Sequence, residues 1–96
     1  MTEEMRLEEI RSGIDEIDGK LLNLFCRRME LVAGVAEYKR RHDLPTLRPE
    51  REREILDRAA EQADPALEEY VRRFFSGIMG ISRDYQDALR NSEGSE

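Results

Sequence analysis

Six polar side chains fall where a helical chain would place apolar ones: Arg28, Lys39, Arg51, Glu52, Ser82 and Gln86. Arg28 continues the spacing of Leu24 and precedes Leu31. A buried guanidinium without a partner is costly, so Arg28 either pairs with an acid or awaits an anion. Lys39 lies eleven residues on, close to three helical turns, and shares its face at ~16 Å along the axis. Two long side chains can converge on one small molecule from there, with Val32 and Val35 as an apolar floor. Arg51 precedes Ile55 by four residues, and Glu52 precedes Leu56 by four. Ser82 and Gln86 extend the strip of Phe75 and Met79 and turn it polar. Taken singly, each has a plainer reading: a register device, a solvated helix-end lysine, a charged helix start. Taken together, they describe a cationic pocket with one acid and neutral hydrogen-bonding groups. Cys26 has no histidine near it in sequence, and His42 falls in a loop over 42–48, so no nucleophile–base pair is apparent. Such a pocket suits a compact carboxylate or phosphate compound. It suggests catalysis by positioning and electrostatics rather than covalent chemistry.

Three helices must carry these residues. Pro45, Pro49 and Pro65 sit where the periodicity breaks. From about Arg6 to Arg41, apolar residues recur at spacings of three and four: Leu7, Ile10, Ile14, Ile17, Leu21, Leu24, then Leu31, Val35 and Tyr38. That is a heptad seam on one long helix. Gly13, Gly19 and Gly34 each weaken it by roughly 1 kcal/mol against Ala, so its stability must come from packing. A helix of about 36 residues spans ~54 Å. A compact chain of this size has a radius of gyration of only ~13 Å. A second, antiparallel subunit is expected to cover the remainder. Pro49 suits the first position of a short helix ending near Ala63. Asp64 then caps a third helix, with Pro65 in its first turn, running to about Arg90. Its apolar face is Leu67, Tyr70, Val71, Phe74, Phe75, Ile78, Met79, Ile81, Tyr85 and Leu89. The expected fold is all-α: long, short and medium helices over residues 1–90, then a disordered acidic tail over 91–96.

Composition narrows the function. The 96 residues carry 16 Lys+Arg against 22 Asp+Glu, a net charge of −6, which argues against nucleic acid as a partner. One Cys and one His leave neither a disulfide nor a Cys- or His-pair metal motif. No apolar run is long enough to span a membrane, and the acidic N-terminus is unlike a signal peptide. A cytoplasmic, oligomer-forming domain is the expectation.

The pattern Arg11-x-x-Ile14-x-x-Ile17-Asp18-x-x-Leu21-Leu22, then Arg27-Arg28, Lys39, Pro45, Arg51-Glu52-Arg53 and Ser82-x-x-x-Gln86, resembles the all-helical (AroQ-type) chorismate mutases. The resemblance covers about Leu7 to Leu89. It implies an intertwined homodimer with two equivalent active sites. The implied reaction is the intramolecular Claisen rearrangement of chorismate to prephenate, on the way to phenylalanine and tyrosine, with no cofactor and no metal. It further implies that Arg28 and the partner's Arg11 bind the two substrate carboxylates. Lys39 and Gln86 would donate to the ether oxygen, and Glu52 would accept from the ring hydroxyl. Arg51 and Ser82 would complete the carboxylate-binding shell. Geometry agrees about Arg11, which lies seventeen residues from Arg28. At ~26 Å along one helix the two cannot grip one small molecule. The chain departs from the family at Arg48, where many members carry an acid and the chain lines the pocket near the ring hydroxyl.

Two other functions fit the same residues. Isochorismate–pyruvate lyases share the fold and much of the cationic pocket. A non-catalytic helical dimerisation module would need acidic partners for Arg28 and Arg51 in its core.

Overall fold

A computed structural model describes residues 3–94. Every regular element among them is helical: α1 over Glu3–Arg41, α2 over Pro49–Gln62, a 3-10 turn over Pro65–Leu67 and α3 over Glu68–Gly94. The all-α architecture of long, short and medium helices follows the apolar periodicity. Its punctuation follows the prolines. Pro49 stands at the first helical position of α2, where its missing N–H costs nothing. Asp64 caps the next segment by accepting a 2.9 Å bond from the Ala66 N–H. That segment opens as a 3-10 turn before α3 proper begins at Glu68, a detail apolar spacing does not encode. α3 continues four residues past Arg90, so Asn91–Gly94 are helical where the sequence reading ended the helix and began a tail. The last two tail residues, Ser95 and Glu96, lie outside the described residues.

The end of α1 sets the loop that follows. Leu44 N–H donates to the Lys39 carbonyl at 2.8 Å, and Asp43 N–H to the Arg40 carbonyl at 3.4 Å. This is the Schellman pattern, with Asp43 at φ 56° in the left-handed position. Glycine usually takes that position, but a short polar side chain tolerates it. Lys39, Arg40 and Arg41 lie in the last turn, where their charge complements the helix dipole. Lys39 is thereby fixed in the final turn, with the loop folding back over it.

The chain divides into two compact units, Met1–Leu31 and Val32–Glu96. The described part of the first is a single helical stretch, and most of its large apolar residues are exposed, with Phe25 and Met29 half-buried. Met5, Leu7, Ile10, Ile14, Ile17, Leu21, Leu22 and Leu24 are all 44–64% exposed. The second unit packs α2 along α3 and holds every buried residue among those described. Its core is small: Val32, Ala36, Ala60 and Met79, flanked by half-buried Ile55, Leu56, Val71, Phe75 and Ile78. Several residues assigned to the apolar face of α3 are exposed in the single chain, namely Leu67, Tyr70, Phe74, Ile81 and Tyr85.

Candidate active site

Three polar residues are buried in the second unit: Lys39, Ser82 and Gln86. All three stand among the sequence-predicted site residues. Val32 and Ala36 bury the face of α1 that ends at Lys39, while Val35 is exposed and forms no floor. On α3, Met79, Ser82 and Gln86 recur at three- and four-residue steps, and that is the strip α3 buries.

Lys39 and Gln86 meet directly. Lys39 Nζ donates to Gln86 Oε1 at 3.0 Å and to the Thr46 carbonyl at 2.6 Å. The amide oxygen of Gln86 is thus turned to the ammonium, leaving its NH₂ as the end that can donate elsewhere. Burial pushes the Lys39 ammonium below the ordinary lysine range, and the charges of Arg48 and Arg90 push it further. Glu52 and Asp87 oppose that shift. The result is a partly desolvated cation beside an amide donor, an arrangement able to stabilise negative charge developing on one acceptor atom. Ser82 Oγ donates to the Ile78 carbonyl at 2.8 Å, a bond back along its own helix.

The other predicted residues take varied places. Glu52 is half-buried, and its carboxylate accepts from Arg83 Nη1. Arg51, expected to lean inward, is exposed, and its Nη1 donates to Glu54 at 3.0 Å. With four-residue spacing to Ile55 it sits at the edge of the buried face, and an acid three residues on draws it outward. Arg48 immediately precedes α2 and is exposed, and its side chain makes no capping bond. Arg11 and Arg28 belong to the first unit, where Arg11 is exposed and Arg28 half-buried. A surface depression of about 160 Å³ lies nearby, lined by Ala33, Ala36, Glu37, Arg40, Leu89 and Arg90. Neither Lys39 nor Gln86 lines it, so the buried polar cluster is the better candidate.

Sequence reasoning missed Thr46, Arg83, Asp87 and Arg90. Arg83 and Arg90 flank Gln86 at three and four residues, so helical periodicity alone could have placed them on its face. Thr46 lies in the loop, which carries no periodicity.

The chorismate mutase type II profile matches residues 10–87. The chain belongs to the chorismate mutase type II family. It is 41% identical over 70 residues to a 4-amino-4-deoxychorismate mutase of Streptomyces venezuelae, covering 72% of this chain and 68% of that protein. It is 49% identical over 53 residues to a chorismate mutase of Methanocaldococcus jannaschii, covering 55% and 54%. It is 39% identical over 74 residues to a T-protein of Haemophilus influenzae, covering 71% of this chain and 20% of the T-protein. The chain therefore spans about half of the archaeal mutase and a fifth of the T-protein.

Proposed function

We propose that the chain catalyses the rearrangement of chorismate to prephenate as an intertwined homodimer with shared sites, acting in the cytoplasm. The observation that carries this reading is the buried Lys39–Gln86 pair. In the rearrangement the ether C–O bond breaks as a C–C bond forms within one molecule. Negative charge grows on the ether oxygen in the transition state, and no proton need move. An ammonium and an amide NH₂ aimed at one oxygen answer that demand, and a dry site strengthens both. Arg28 and the partner's Arg11 bind the two carboxylates and hold the substrate in its compact, diaxial form. Arg51 and Ser82 complete that shell. Arg48 and Glu52 line the ring-hydroxyl side.

The named relatives raise a second substrate, 4-amino-4-deoxychorismate, with an amine on the ring. A ring amine is cationic at neutral pH. Arg83 already neutralises Glu52, and Arg48 adds charge to the same cluster. That field favours a neutral hydroxyl, and chorismate is the preferred reading.

Mixing tests both the reaction and the sharing. The wild type should consume chorismate, followed by its absorbance, and yield prephenate. Arg11→Ala and Arg28→Ala should each be nearly inactive alone. Refolded together, random pairing gives about half heterodimers, each with one intact site of two. Activity should return to roughly a quarter of wild type if the sites act independently. No consumption of chorismate by the wild type overturns the reaction. No recovery despite verified subunit exchange overturns the shared site.

A further inference from the structure

Thr46 lies outside the residues assigned to the reaction, yet it makes three bonds at the candidate site. Its carbonyl accepts from Lys39 Nζ at 2.6 Å. Its hydroxyl donates to Asp87 Oδ1 at 2.7 Å and accepts from Arg90 Nη1 at 3.0 Å. A hydroxyl has one donor and two acceptor lone pairs, so one small side chain can engage an acid and a base together. Both partners lie on α3, one and four residues past Gln86. The loop after α1 is therefore tied to the helix that presents Gln86, and Lys39 is held between them.

We propose that Thr46, Asp87 and Arg90 form a positioning clamp that sets the Lys39 ammonium for catalysis. The proposal rests on Lys39 acting as a donor to the ether oxygen. The physical need is plain. A lysine side chain has four rotatable bonds, and two acceptors from different elements are needed to pin its head. Gln86 Oε1 supplies one, from α3. The Thr46 carbonyl supplies the other, and it holds still only while the Thr46 hydroxyl is tied down. Displacement of a reacting group by about 1 Å can cost 10²-fold in rate.

The clamp also shapes the charge around Lys39. Arg48 in the loop and Arg90 on α3 lower its proton affinity, while Glu52 on α2 and Asp87 on α3 raise it; burial is the largest influence and lowers it. Releasing the loop hydrates the ammonium and lets Arg90 swing away. Lys39 then titrates closer to an ordinary lysine.

The protein has two lysines, Lys39 and Lys20, and the Lys20 side chain is 73% exposed. Lysine-selective isotope labelling therefore gives two NMR signals, one an internal reference. Thr46→Val keeps the shape of the side chain and removes both hydroxyl bonds. It should lower kcat roughly ten- to a hundred-fold with a smaller change in KM. It should also move the Lys39 titration upward, towards that of Lys20, with helicity unchanged. Thr46→Ser should restore both towards wild type. A Thr46→Val protein with wild-type kcat and an unmoved Lys39 titration overturns the clamp. Equal losses in the Val and Ser variants overturn the role of the hydroxyl. Lys39→Ala is the control on the underlying reading: if it retains full turnover, Lys39 is no donor, while the Lys39 titration of the Thr46→Val protein still reports on the clamp.

Discussion

The first unit and the second spend their residues in opposite ways. Residues 3–31 are rich in large apolar side chains and leave most of them in solvent; Ile17 is 57% exposed and Leu24 56%. Val32–Glu96 has a small apolar core, yet buries a lysine, a serine and a glutamine. No described residue in the first is buried; the second buries what a stability-driven core would exclude. A helix with a continuous uncovered apolar seam has most of its stabilising burial still to be supplied. Buried polar groups cost least when every one has a partner, and a satisfied network fixes one arrangement of its side chains. Among the described residues, no buried side-chain polar atom lacks a partner. The difference teaches that apolar exposure and polar burial are separate signals in this chain: the first unit has apolar burial still to gain, while the second has its buried polar groups already paired among the described residues.

The largest effect should come from attacking the exposed seam. Ile14→Asp places a charge at its centre. If a second copy covers the seam, the variant loses about 2–3 kcal/mol of apolar burial per chain and adds an unpaired buried charge. Sedimentation should show dissociation, and turnover should fall to background. A wild-type protein that sediments as a helical monomer, or an Ile14→Asp variant that stays dimeric and active, breaks the comparison from the first unit's side.

Attacking the buried cluster should be next. Lys39→Ala should cut turnover by about 10²–10³ while leaving the oligomer intact, because the donor acts mainly where charge grows. The same ammonium predicts an alkaline limit. Its folded-state proton affinity is lowered, by burial first and then by Arg48 and Arg90. Activity requires the protonated form, so kcat/KM should decline with rising pH before an ordinary lysine would titrate. The linkage to stability runs the opposite way. The unfolded chain binds that proton more tightly, so this group makes the fold more stable as pH rises from the lowered value to the ordinary one. A flat kcat/KM profile up to pH 10.5, the reference lysine value, would remove Lys39 from the rate.

What could be read beforehand follows from period and sign. The end of α1 at Arg41 and the start of α2 at Pro49 were legible because capping and proline chemistry are local. Ser82 and Gln86 were legible because they break an apolar strip. Arg51 was not, because one acid at i+3 decides which way an edge guanidinium turns. The Glu52–Arg83 and Lys39–Gln86 contacts join residues 31 and 47 apart. No helical period spans such gaps, so partners across elements stay hidden even when each residue looks unusual. Thr46 is the extreme case, one hydroxyl in a loop joined to residues 41 and 44 positions away.

The smallest effect sharpens the comparison most finely. Gly13 and Gly19 both lie in the first unit, and an added Cβ at either meets nothing within 4 Å in the single chain. Helical geometry separates them. Gly13 follows Ile10 by three residues and precedes Ile17 by four, on the flank of the seam, whereas Gly19 is on the opposite face. In a lone helix both Gly→Ala changes should stabilise alike, by about 0.5–1 kcal/mol, since Ala loses less backbone entropy. For a domain of this size that is several degrees in Tm, at roughly 4–8 °C per kcal/mol. If a second copy lies against the seam, Gly19→Ala keeps its gain, while Gly13→Ala meets the partner helix and loses part or all of it. Melting both variants at one fixed protein concentration separates the cases, because a dimer's Tm moves with concentration. Equal gains would mean the flank of the seam is open in solution. A deficit at Gly13 alone would locate the covered face to within one helical turn.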